Sequence, residues 1–228
     1  MSISGRLSCV RGDFSRTMQM ECRLSEVVTT EAEIRAAIGH PSQRVRTKAA
    51  ATLDDHCRAF IARSPFVFVA SSDGDGNMDV SPKGDPAGFV RVLDESTLAI
   101  PDRLGNRRAD TFVNVLQQPK VGLLFLIPGR PDTLRVNGAA TIVRDQWLRD
   151  RMAMGGKVPD FALVVTVEEV FFHCPKCVIR SKLWDPGQWP DLKGLASFAR
   201  IKVERGKLEV SVEGMEALVA KNNRERLY

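Results

Sequence analysis

Between residues 66 and 142 the chain is a succession of short β-branched and aromatic runs punctuated by hairpin signals, and this pattern most constrains its fold. Residues 66–70 read FVFVA, a run of strand length. The turn that follows, SSDGDGN at 71–77, carries Asp-Gly and Gly-Asn signals, so the next strand, 78–82, should return antiparallel to the first. Further strands are expected at 88–92, 97–100, 121–126, 134–142, 162–170, 201–204 and 208–212. Only one helix, at about 108–116, interrupts the early strands. Many short strands with few crossover helices argue for a mainly β, antiparallel barrel rather than a parallel α/β sheet.

Helices are expected ahead of the barrel. Thr30 can cap a short helix over 31–38, with Glu31 and Glu33 at its positive end and Gly39 at its stop. A longer amphipathic helix is expected over 45–62, where Ala49, Leu53, Cys57, Phe60 and Ile61 recur at helical spacing and Pro65 ends the pattern. Residues 1–30 read as an arm, and 31–228 as one domain with a C-terminal extension. With 228 residues and 43% apolar content the chain can bury one substantial core, and no Pro/Gly/Ser-rich linker divides it.

The formal charge of +5 is small beside 33 basic and 28 acidic residues. Nucleic acid is not an expected partner, because stacking aromatics are lacking around the basic loop and Tyr228 is the sole Tyr. No run reaches the roughly 18 apolar residues of a membrane span, and the first residues lack a signal-peptide core. Five cysteines in a chain of this length favour reduced thiols and a cytoplasmic setting.

The densest basic group, Arg103, Arg107 and Arg108, lies in one loop. A strand ends near Ile100 and Pro101, the loop holds Gly105 and Asn106, and the expected helix then presents first-turn amides with no internal partner. Amides, helix dipole and guanidiniums together suit a terminal phosphate. An Arg pair at a helix start is also an ordinary surface feature, and taken alone the residues leave both readings open.

The segment LGNRRAD, the helix to Gln118-Pro119 and the strand KVGLLFL resemble the cofactor-phosphate segment of the pyridoxamine 5′-phosphate oxidase-like split-barrel flavoproteins. The resemblance implies a six-stranded antiparallel split barrel and a homodimer that holds FMN at the subunit interface, with the phosphate gripped by Arg107 and Arg108 beside Asn106. The strand MDVSPKGD stands where that family lays a strand along the flavin. Asp79, Val80, Ser81 and Pro82 would then border the ring, Lys83 would add a cation, and Ile100 and Pro101 would flank the site. Thr133 stands where a polar residue often meets the ring, in a long strand that ends at Gly138. Arg135 either reaches the cofactor of the partner subunit or is a surface charge.

Near the C-terminus FFHCPKCVIRSKLWDP places Cys174 and Cys177 beside His173. A structural zinc needs about four ligands and a thioredoxin-like site needs a βαβ context, and neither is present. The block is instead similar to an FMN-binding subgroup of the same family, which implies that Arg180, Ser181 and Trp184 approach the flavin; Trp184 reads equally as core filler. The Arg-x-His element that pyridoxamine phosphate oxidases use for their substrate is missing. The resemblance thus implies an FMN-dependent oxidoreductase of unspecified substrate, with a heme-, deazaflavin- or flavin-storing protein as the rival.

Overall fold

The computed structural model describes residues 24–228, so residues 1–23 of the arm expected over 1–30 lie outside the described residues. The chain divides into two units, 1–42 and 43–228. In the first, α1 (Glu31–Ile38) forms with the expected box: Glu33 N–H donates to Thr30 Oγ1, and Thr30 N–H donates back to the Glu33 carboxylate. Gly39, at φ 72°, ends it.

The second unit is mainly β. Its strands are β1 (Phe66–Ser72), β2 (Met78–Gly84), β3 (Arg91–Val92), β4 (Thr97–Pro101), β5 (Lys120–Leu126), β6 (Thr133–Val143) and β7 (Ala162–His173). They form one sheet in the order β2-β1-β5-β6-β7-β4-β3, with every pairing antiparallel. Six strands were expected of the barrel, and the two-residue β3 makes a seventh at the edge. Val67 and Val69 of β1, Leu123 and Phe125 of β5, Val136 of β6, Val165 of β7 and Leu98 of β4 all join one buried cluster. β1 and β4 lie four places apart in this order yet contribute to the same core, so the sheet is curled upon it.

Four expectations need correction. The helix over 45–62 is two short pieces, α2 (Gln43–Arg46) and α3 (Asp55–Ile61). Between them Ala50 exchanges main-chain hydrogen bonds with Val170 at 2.9 and 2.7 Å, and Leu53 N–H donates to Glu95 C=O, so distant strands take the backbone groups a continuous helix would need. Asp54 then caps α3 through Cys57 N–H. The strand expected at 88–92 shortens to Arg91–Val92.

The strands expected at 201–204 and 208–212 are absent. Residues 198–206 form α7 (Phe198–Gly206) and 212–225 form α8 (Val212–Glu225), each opened by a serine, Ser197 or Ser211, whose hydroxyl accepts from an amide three residues on. The helix after the loop is α4 (Asp110–Gln117), α5 (Gln146–Arg151) joins β6 to β7, and α6 (Lys176–Ser181) follows β7.

The long strand β6 does not end at Gly138 but bulges there and continues to Val143. A Cβ on Gly138 would stand 2.1 Å from Thr166 O, so the crossing of β6 and β7 admits only glycine. No helix among the described residues is long and apolar enough to cross a membrane.

Candidate functional site

Strand β2 is at the sheet edge, where Pro82 removes no needed donor. Its pairing with β1 sorts the expected site residues onto two faces. Asp79, Ser81 and Lys83 stand opposite Ser71, Val69 and Val67, on the core side; Val80 and Pro82 stand opposite Ala70 and Phe68, on the outer side.

On the core side β2 meets α4. Asp79 Oδ2 accepts from Ser81 Oγ at 3.0 Å and from Thr111 Oγ1 at 3.3 Å, and Asn114 of α4 donates to Ser71 Oγ at 3.1 Å in a buried setting. These links fix α4 against the strands that carry Ser81 and Lys83. Thr111 and Asn114 were not singled out in the sequence, although their i, i+3 spacing on one helix face was available.

The loop between β4 and α4 is sharply bent. Arg107 and Ala109 adopt left-handed conformations, φ 63° and 58°, which cost a non-glycine residue roughly 1 kcal/mol or more each. Asn106 Oδ1 accepts from Arg108 N–H at 3.0 Å and holds the bend. With Ala109 at the N-cap, α4 has no side-chain cap, whereas Thr30, Asp54, Ser197 and Ser211 cap α1, α3, α7 and α8. The first-turn amides of α4 are therefore left to an outside acceptor.

The three loop arginines have different employments. Arg103 is held by Asp85 at 2.6 Å and by Met152 C=O, and Tyr228 Oη donates to the same carboxylate. It braces the loop and is not free for an anion. Arg108 pairs with Asp110 at 2.7 Å. Arg107 is exposed, and no side-chain hydrogen bond engages it among the described residues. Lys83 acts electrostatically on Asp102, whose carboxyl is nevertheless pushed up from its usual value, chiefly by burial. Ile100 and Pro101 are buried in β4, which leaves only their main chain to offer.

On the outer side the pairings align two rows across five strands: Val80, Ala70, Gly122, Asn137 and Glu169, and Pro82, Phe68, Leu124, Arg135 and Phe171. From these rows Phe68, Ala70, Val80, Leu124, Arg135 and Asn137 line an open groove of about 520 Å³, walled almost wholly by apolar atoms and reached by His173. Val80 is 59% exposed there. Arg135 pairs with Glu169 at 2.8 Å and lies 4.1 Å from the Phe171 ring centroid, yet its buried Nε has no hydrogen-bond partner among the described residues. Burial, and then the nearby charges of Arg135 and Lys48, hold the His173 imidazole below its ordinary pKa, so it favours the neutral form. The sequence did carry a signal for this groove, since β1 and β5 are apolar on both faces and such strands need cover on both.

Thr133 is buried and pairs with His173 at the far end of β7, whereas Pro101, which leads into the arginine loop, pairs with Ala162 at the near end. Eleven steps of about 3.3 Å, roughly 36 Å of strand, separate those ends. Arg180, Ser181 and Trp184 follow the far end on and after α6. There Ser181 Oγ donates to Val178 C=O, and Trp184 Nε1 donates to Arg130 C=O at 2.7 Å. Within one chain, therefore, the arginine loop and the Arg180 group sit at opposite ends of the barrel.

A curled antiparallel sheet, an uncapped helix behind an arginine loop and an apolar groove with few polar groups together describe a β-barrel with a candidate binding site. The model of the pyridoxamine 5′-phosphate oxidase family matches residues 53–174, just over half of the chain, and the chain belongs to that family. No curated protein matches it. Solved structures similar to it include HupZ of Group A Streptococcus (21% identity, 52% of this chain and 92% of that one, TM-score 0.41). An FMN-binding protein of Syntrophomonas wolfei is 14% identical over 51% of this chain and 83% of its own, with TM-score 0.41. HutZ, the heme storage protein of Vibrio cholerae, is 17% identical over 52% and 93%, with TM-score 0.38.

Proposed function

We propose that the chain is an FMN-dependent oxidoreductase that works as a homodimer in the cytoplasm, its flavin held between subunits. The observation that carries this reading is the uncapped start of α4 beside Arg107, a guanidinium without a side-chain partner among the described residues. A dianionic phosphate would take up the first-turn amides and Arg107, while Asn106 and Arg108 hold the strained loop in shape. Ser81 and Lys83 face the same side of β2, and Asp79 fixes that strand to α4. Val80 looks onto the groove, where Arg135 Nε, unpartnered among the described residues, supplies a donor for a polar ring edge.

When bound, FMN supplies the hydride or electron transfer, and the protein supplies position and charge. Because the arginine loop and the Arg180, Ser181 and Trp184 group lie at opposite ends of β7, a single flavin that meets both draws them from two subunits. The apolar outer face is the surface such a dimer would cover.

One observation favours the second reading, a protein that stores heme or a deazaflavin without turnover. The groove is apolar and His173, which burial biases toward its neutral form, lines it, so this imidazole would be the residue to hold a heme iron. HutZ is itself described as a heme storage protein.

The test is to purify the protein, record its visible spectrum and identify the released ligand by mass spectrometry. An oxidised-flavin spectrum with FMN in the supernatant, bleached by reduced nicotinamide, supports the oxidoreductase; a Soret band supports the rival. Arg107→Ala should then weaken FMN binding by roughly tenfold or more, as expected for one lost charge-assisted contact. Unchanged affinity in a fluorescence titration would remove the phosphate assignment.

A further inference from the structure

We propose that Cys174 and Cys177 form a reversible disulfide, a thiol-exchange site at the start of the helix that carries Arg180 and Ser181. The sequence Cys174-Pro175-Lys176-Cys177 turns the chain from β7 into α6: Cys174 lies between the two elements, Pro175 is the N-cap at φ −72°, ψ −5°, with its carbonyl accepting from Ile179 N–H at 3.0 Å, and Cys177 is in the first turn. Both thiols are exposed.

Residues three apart on such a turn have Cβ atoms about 5–6 Å apart, against about 3.5–4.5 Å in a disulfide. Closure therefore needs a shift of roughly 1–2 Å, which Cys174 can make because it precedes the helix. A bond between two exposed sulfurs is open to attack by an external thiolate, as an exchange site requires. The remaining described cysteine, Cys57, is buried and its thiol is pushed up to about 12, mainly by burial, so it stays out of the reaction.

The oxidant is a low-molecular-weight disulfide, RSSR. One protein thiolate attacks RSSR to give a mixed disulfide and RS⁻. The second thiolate attacks the protein sulfur of that bond and expels the other RS⁻. Two thiol protons end on the two RS⁻ groups, the protein is oxidised by two electrons, and RSSR is reduced to 2 RSH.

The test treats the full chain with oxidised glutathione and maps it with trypsin. Cleavage after Lys176 puts the two cysteines on separate peptides, 158–176 and 177–180, so only a disulfide keeps them together. The expected product is the linked pair without bound glutathione, released by dithiothreitol, and at least one of Cys174→Ser and Cys177→Ser should instead retain one glutathione. Persistent glutathione adducts on the unaltered chain, a link to another cysteine or to a second copy, or two peptides that stay reduced would each overturn the proposal.

Discussion

Arg103, Arg107 and Arg108 are alike in sequence and differ in every physical respect once folded. Arg103 is committed to Asp85, Arg108 to Asp110, and Arg107 to neither. Composition shows three cations in a loop; which one is free depends on an aspartate 18 residues upstream. A similar dependence governs His173, whose depressed pKa comes from burial and from Arg135 and Lys48, the latter 125 positions earlier. The sign follows: a base whose folded pKa lies below its unfolded value stabilises the fold above the ordinary imidazole range, about pH 6.5, and that contribution is lost as pH falls through it. Urea midpoints measured on either side of that range should therefore drop toward acid, and His173→Gln should flatten this part of the profile; an identical slope in the variant would show that other groups carry it.

At the scale of the element, α4 and β2 hold the candidate site together. Their existence was legible: a strand returning antiparallel after the SSDGDGN turn, and a helix before Gln118-Pro119. The two-faced role of β2 was partly legible, since alternation alone places Asp79, Ser81 and Lys83 opposite Val80 and Pro82. Which face meets α4 was not, because that rests on Thr111 finding Asp79. The entry to α4 is strained, with Ala109 left-handed and contributing no cap. Ala109→Gly should relieve that strain and raise stability by about 0.5–1 kcal/mol, net of the greater freedom of glycine in the unfolded chain. A denaturant titration measures it, and a lower midpoint would mean that the alanine methyl packs more than its conformation costs. The C-terminal helices show the converse error, since short apolar spacings at 201–204 and 208–212 looked strand-like while the serine caps at 197 and 211 went unweighed.

For the molecule as a whole, the apolar rows through Phe68, Leu124 and Val80 leave one side of the barrel wet unless a second subunit covers it. Phe68→Asp should convert the dimer proposed above to a monomer in sedimentation equilibrium and release bound flavin with it. A variant that stays dimeric would move the interface elsewhere. Phe68 packs against Phe66 at 5.1 Å on the outer face rather than in the main core, so the monomer should remain folded. The same opposition of ends along β7 explains why the Arg180 group and the arginine loop, both marked by resemblance, do not meet in one chain.

What the amino-acid order determined by itself was local: strand runs by their alternation, hairpins by their glycine turns, and the loop in which cations and helix amides would gather. Those features depend on neighbours within a few residues, where spacing and backbone preference decide the outcome. Tertiary structure decided the rest, namely which arginine stayed free, that residues 47–54 are drawn out of a helix to pair with β7 and meet Glu95, that β6 must cross β7 at a glycine, and that one sheet face is left bare. Apart from the local Arg108–Asp110 pair, each of these turns on partners 18 or more positions away, whose contact is set by how the whole sheet curls around its core.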